Sequence, residues 1–384
     1  MTGRFLSPRE AAAYELSRRG FLRRAGLGAA GIAIGGPALL AACSKSSSPR
    51  RDVRVFNAPL AIDDNTQSIF ERTSGVFLDY HEYTDAEAYL RASTRSLRAH
   101  HDIGADVVVL PDAQTATVIA SGWARPLASA DGARHRALPA FANPGFDPGR
   151  KFSLPYSSSM VGLAYDRRRV HEPVRSAGAL FDPKFRGRVA MSADAAETLG
   201  LVALASGNDP AKVTASQAVA AVQRVRGAVA GGQVRSFATT EYVDDLVSGR
   251  ALLAVARADD VLAALPVSPT LAFVVPDEGG LFSSTNMLIP IGARNRDEAA
   301  VFVNFMFGPD ACSRIASFTN GTMAVAGAGD SLQAIDAKAA SNPLISPSPA
   351  VVARLRIWAA NGATTAATAQ FASLVVSHTA PAAP

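Results

Sequence analysis

Asp106-Val107-Val108-Val109-Leu110-Pro111 is a short apolar run closed by proline. Such a bounded, β-branched run reads as a strand buried on both faces. Working outward, Val53-Arg54-Val55-Phe56 is a second strand pattern ending at Asn57-Ala58-Pro59, and Val76-Phe77-Leu78-Asp79-Tyr80 is a third. Helix signals separate them. Asp63 and Asp64 can cap a helix through Ser74 with Gly75 as its stop, and Asp85 can cap another over 86–99. A third helix is expected from Pro111 to about Ser121, stopped by Gly122. Alternating strands and helices imply a mostly parallel sheet covered on both faces. Ligands on such sheets bind at the carboxyl ends of strands, here the loops 57–59 and 111–114.

A second α/β region follows. Strand patterns lie at Phe152–Tyr156 and Val161–Tyr165, then at 189–191, 252–255, 271–276 and 287–290. Helices are expected over 195–206, 216–229, 241–248, 297–307 and 309–318. The Ala/Thr-rich tail after Asn361 reads as helical at first and then frayed. The 384 residues allow about two domains.

The chain is 48% hydrophobic and 18% charged, a globular composition that excludes largely disordered and collagen-like classes. Its net charge of +5 would suit nucleic acid only if clustered on the body. Residues 1–42 hold six arginines against Glu10 and Glu15, so the remainder is close to neutral and no nucleic-acid partner is expected. Arg18-Arg19 with Phe21-Leu22 precede an apolar stretch, 25–42, and then Leu40-Ala41-Ala42-Cys43. This order resembles a twin-arginine export signal ending at a bacterial lipobox, with Cys43 lipidated as the first mature residue. Ser44 to Arg51 reads as a flexible tether. Gly26-Leu27-Gly28-Ala29-Ala30-Gly31 matches a dinucleotide fingerprint but lacks the preceding strand, so no such cofactor is expected.

The six histidines show no zinc spacing, and no nucleophile elbow, Walker A loop or C-x-x-C is present. No catalytic residue, metal or cofactor is expected. Cys312 sits in a helix pattern beside Ile315 and reads as a small buried apolar residue.

Several segments in order resemble bacterial extracellular solute-binding proteins, specifically the spermidine/putrescine-binding branch. They are Phe56-Asn57, the 106–111 strand, Phe146-Asp147-Pro148 with Ser153-Leu154-Pro155-Tyr156, and Phe185-Arg186-Gly187-Arg188-Val189. Asp194-Ala195-Ala196-Glu197, Val275-Pro276-Asp277-Glu278-Gly279-Gly280-Leu281-Phe282, Ile289-Pro290, 299–307 and Pro309-Asp310 complete the set. The resemblance implies an α/β fold of two lobes joined by a hinge, with a ligand cleft between them. It divides the chain into a signal at 1–43, a tether at 44–52, a first lobe at 53–157 and 287–325, and a second at 158–286 and 326–384. It further implies a monomer, exported and membrane-anchored through lipid, that hands a polyamine or related amine to an ABC transporter permease. An exported enzyme or a sensory binder reusing the fold is the alternative.

The resemblance places ligand contacts at Asn57, Asp112, Gln114, Tyr156, Ser157, Asp194, Glu197, Thr240, Arg257, Thr285 and Asn286. Glu197 matches the family's amine-binding acid, while Asp194 and Glu197 also fit a helix capping box. Where the family has aromatic and acidic contacts, this chain has Ser157-Ser158-Ser159, Ser283-Ser284-Thr285-Asn286, Val275 and Arg257. The expected ligand is therefore small and polar. It carries an amine for Glu197 and an anionic group for Arg257, unless Arg257 instead pairs with Asp259 or Asp260.

Overall fold

The computed structural model describes residues 50–127 and 131–379. Arg18, Arg19, Cys43 and the glycine run at 26–31 lie outside them. The first strands and helices follow the local signals closely. They are β1 (Asp52–Asn57), α1 (Asp64–Ser74), β2 (Phe77–Glu82), α2 (Ala86–Arg98), β3 (Val107–Pro111) and α3 (Asp112–Ala120). Asp63 Oδ1 accepts the Thr66 N–H at 2.9 Å, which satisfies an otherwise orphaned helix donor. Gly75 ends α1 in the left-handed region, φ +67°, as a glycine cap should.

Next come β4 (Ser153–Asp166), β5 (Val189–Ser192), α4 (Ala195–Leu204), α5 (Ala215–Ala230), β6 (Val234–Ala238), α6 (Tyr242–Ser248), β7 (Leu253–Arg257), α7 (Ala258–Ala264) and β8 (Leu271–Val274). The chain closes with β9 (Gly280–Leu288), α8 (Arg296–Met306), α9 (Pro309–Thr319), α10 (Ala328–Ile335), β10 (Leu355–Arg356) and α11 (Gly362–Thr379). The strands form one sheet in the order β2-β1-β3-β9-β4-β7-β5-β6, with β10 on β9 and β8 on β4. β1, β2 and β3 are parallel, as are β5, β6 and β7. β9 runs antiparallel to β3 and β4, and β4 antiparallel to β7. The mostly parallel expectation therefore holds inside each half and fails at the centre. There, two long strands cross in opposite directions.

The sequence patterns 152–156 and 161–165 belong to one 14-residue strand, β4. Ser157, Ser158 and Ser159 lie between them. They continue the strand because β9 offers matching polar partners, Ser157 opposite Thr285, Ser158 opposite Ser284 and Ser159 opposite Ser283. The Ser158 and Ser284 hydroxyls lie 2.8 Å apart, so the buried polar atoms are satisfied.

Alternation along each strand sends successive side chains to opposite faces, and each half has a core on both. In the first half Val107 and Val109 join Val53, Phe70, Phe302 and Phe307, while Val108 and Leu110 join Leu90 and Leu97. In the second, Val189 and Met191 join Leu201, Val222 and Phe371, while Ala190 joins Tyr242, Leu246 and Ala254. The segment expected wholly in the second lobe, 326–384, is shared. Leu332, Ile345, Leu355 and Ile357 pack in the first core, and Trp358, Ala359 and Phe371 in the second. The chain thus passes between the halves three times, in β4, in β9 and at Ile357–Trp358. The tail after Asn361 is helical at first, as expected, with α11 held by fully buried Ala367 and Phe371; the end beyond Thr379 lies outside the described residues. Cys312 is buried as expected, and burial pushes its thiol up to about 11.

Candidate functional site

The amino ends of α3 and α4 approach each other across the crossing strand β9. Between them lies a narrow, partly open pocket of about 20 Å³, lined by Pro111, Asp112, Ala113, Asp194, Ala196, Glu197, Leu281, Phe282, Ser283 and Trp358. In this arrangement of the lobes that volume holds about one water molecule, so a solute enters only as the lobes part. Three of its lining residues are acids, and two, Phe282 and Trp358, are aromatic.

Asp112 opens α3, directly after the buried strand β3. Its Oδ2 accepts the Ser284 N–H at 3.0 Å and its Oδ1 accepts Asn286 Nδ2 at 2.8 Å. Behind Asn286 stands Arg150, almost fully buried, whose Nη1 donates to Asn286 Oδ1 at 2.8 Å and whose Nε donates to the Phe141 carbonyl at 2.7 Å. Burial raises the Asp112 carboxyl above its usual range, against the pull of Asn286 and Arg150.

Asp194 is the N-cap of α4. Its Oδ1 accepts the Ala196 and Glu197 N–H groups at 2.7 and 3.2 Å, and no described residue donates to Oδ2. Glu197 does not complete the capping box. The Asp194 N–H instead donates to Ser192 Oγ at 3.1 Å, and that hydroxyl donates to Glu197 Oε2 at 2.6 Å. Burial, then mutual repulsion, raises the Glu197 carboxyl. Burial and nearby Asp112 raise that of Asp194.

Arg257, at the carboxyl end of β7, is not available to an anionic ligand in the way its isolated position suggested. Nε and Nη2 each donate to Asp259 at 3.2 Å, and Nη1 reaches Ser283 Oγ at 3.2 Å and Glu197 Oε1 at 3.5 Å. The ion pair with Asp259 is the local alternative raised for it, and Glu197 joins that pair. Burial alone would lower the guanidinium, but Asp259, Glu197 and Asp260 hold it well above its ordinary value. Asp259 is fixed by the Ser159 hydroxyl at 2.6 Å, and Asp260 by the Tyr242 hydroxyl at 2.7 Å.

Of the expected contacts, Asp112, Asp194 and Glu197 line the cavity, with Arg257 one bond behind. The others stand elsewhere. Asn57 is fully buried at the end of β1, with its Oδ1 accepting the Ala58 N–H at 2.7 Å. Tyr156 is buried in the first core and its hydroxyl donates to the Ala61 carbonyl at 2.8 Å. Ser157 faces Thr319 at 3.3 Å, Thr240 sits beside Glu241 in the turn before α6, and Gln114 lies half-buried on α3, off the cavity wall. Thr285 pairs with Ser157 in the sheet, and Asn286 supports Asp112 from behind without lining the cavity. Trp358 was not anticipated. It arrives from the third passage between the halves, and the strand-like Leu355-Arg356-Ile357 before it was its one local signal.

Two lobes on one sheet, with a partly open, acid-lined pocket where they meet, are the architecture of a binder of small solutes. The chain matches the family model of bacterial extracellular solute-binding proteins over residues 71–317 and belongs to that family. It is similar to the spermidine/putrescine-binding periplasmic protein of Salmonella typhimurium, 22% identical over 183 residues, or 47% of this chain and 52% of that one. The chain thus spans about half the length of the curated relatives it matches. Its fold is that of the spermidine/putrescine ABC transporter substrate-binding protein PotD from Streptococcus pneumoniae, with TM-score 0.70 and 19% identity over 85% of this chain and 98% of that one. It is also that of AfuA from Actinobacillus pleuropneumoniae, solved with fructose-6-phosphate, with TM-score 0.62 and 15% identity over 87% and 100% of the two chains.

Proposed function

We propose that this chain is the substrate-binding component of an ABC-type importer and captures a small amine-bearing solute for a membrane permease. The observation that carries the amine is the cavity wall, where Asp112, Asp194 and Glu197 meet Trp358 and Phe282. Carboxylates raised by burial gain most from an incoming cation, and aromatic faces attract ammonium groups and cover methylenes. A sugar phosphate, by contrast, would bring negative charge against three acids. The relatives named for spermidine and putrescine support the same choice. Binding without chemistry fits a site whose polar groups are fixed in hydrogen bonds. Export by the Arg18-Arg19 signal and anchoring through a lipid on Cys43 complete the proposal, with the lobes closing as a monomer around the solute.

Calorimetry with butylamine, 1,4-diaminobutane and spermidine tests this reading, with fructose 6-phosphate as the contrast. At least one amine is expected to bind in the micromolar range or tighter. Asp194→Asn should weaken it at least tenfold while keeping the helix cap, since Asn caps as well as Asp. Binding of the sugar phosphate alone, or full amine affinity in Asp194→Asn, would overturn it.

A further inference from the structure

The three carboxylates of the cavity are not equivalent. Both oxygens of Glu197 are engaged, Oε2 by the Ser192 hydroxyl at 2.6 Å and Oε1 by Arg257 at 3.5 Å. Both oxygens of Asp112 hold fixed donors, each oxygen keeping a second lone pair. Asp194 alone presents an oxygen to which no described residue donates. Arg257 is itself locked in place by the paired bonds to Asp259 at 3.2 Å, which in turn is held by Ser159 on the crossing strand. A guanidinium fixed in this way is a permanent positive charge beside one end of the cavity.

We propose that Arg257 is a resident cation that takes the place of one ligand ammonium, so that the cavity accepts a single cationic end, between Asp194 and Asp112. This rests on the amine reading above and sets its valency. A ligand reaching the Glu197 end must present a neutral group there, because a second ammonium would meet Arg257 instead of an unpaired carboxylate. The aromatic walls of Trp358 and Phe282 then serve an aliphatic stem joining the two ends. The specificity follows as much from what Arg257 repels as from what the acids attract.

The test compares butylamine with 1,4-diaminobutane, which share a four-carbon stem and differ by one ammonium. In the wild type butylamine should bind at least as tightly as 1,4-diaminobutane, because the second ammonium meets the guanidinium instead of an unpaired carboxylate. Arg257→Gln should favour the diamine at least tenfold, and Arg257→Lys should restore the wild-type ratio. Because Arg257→Gln strands the buried Asp259, the double variant Arg257→Gln/Asp259→Asn is measured beside it, with the same shift expected. A wild type that already favours the diamine tenfold, or a ratio that does not move in either glutamine variant, overturns the proposal. If butylamine binds and only the ratio fails, the amine reading stands without it. If neither amine binds any of these proteins, both fall together.

Discussion

Asn286→Ala removes the one residue that joins the buried Arg150 to the cavity carboxylate Asp112. Asn286 has no exposed surface, and both of its bonds, to Asp112 Oδ1 and from Arg150 Nη1, are 2.8 Å long. The bond from Arg150 involves an ionised partner, worth about 1.5–3 kcal/mol net, and the bond to Asp112 adds about 0.5–1.5, so the pair contributes roughly 2–4.5 kcal/mol. The loss is not made good nearby. Among the described residues Arg150 Nη2 already lacks a partner, and the Ser153 hydroxyl stands 3.5 Å from Nη1. Against a total stability of about 5–15 kcal/mol, this is a large share. Urea unfolding followed by circular dichroism should show the midpoint falling with the slope unchanged. A destabilisation below about 1 kcal/mol would refute the claim that Asn286 couples Arg150 to Asp112, since even one stranded donor costs that much.

Two further outcomes follow from the same geometry. Asp112, Asp194 and Glu197 all have raised carboxyl pKa values in the free protein. A bound cation favours their ionised forms, so amine binding should release protons and weaken as pH falls through those raised values. Calorimetry in two buffers of different ionisation enthalpy measures the sign, and proton uptake would contradict it. Gly200→Ala would place a Cβ 2.5 Å from Leu281 Cδ1, on the cavity wall. Overpacking of this kind costs about 1–3 kcal/mol, read as a lower urea midpoint, and an unchanged midpoint would mean that Leu281 turns aside freely.

Much of the fold is legible in sequence because its signals are local. Asp63 and Gly75 bound α1 within a dozen residues, and the 106–111 run needs no partner to be recognised as buried. The serine stretches at 157–159 and 283–285 are illegible for the opposite reason. Neither shows a strand pattern until it is set against the other, more than a hundred residues away. Asp112 could be picked out because it follows a buried strand, and Glu197, with Asp194 beside it, because it matches the amine-binding acid of the family it resembles. Asn57 and Tyr156 sit in equally suggestive places, yet their side chains turn into the first half. The chain alone does not reveal that direction. The pairing of Arg257 with Asp259, two residues on, could be foreseen, but its reach to Glu197, sixty residues earlier, could not. Trp358 joins the wall only after its chain has left the second core, visited the first and returned.

That itinerary has a consequence for how the molecule could be watched at work. A chain that passes between two bodies an odd number of times begins on one and finishes on the other. Here Val53 and Val55 lie in the first core and Phe371 in the second. A leash on the leading end would therefore hold one body and leave its companion to swing. Dyes fixed near Asp52 and on the outer face of α11 would turn that swing into a change in energy transfer, with no label near the solute itself.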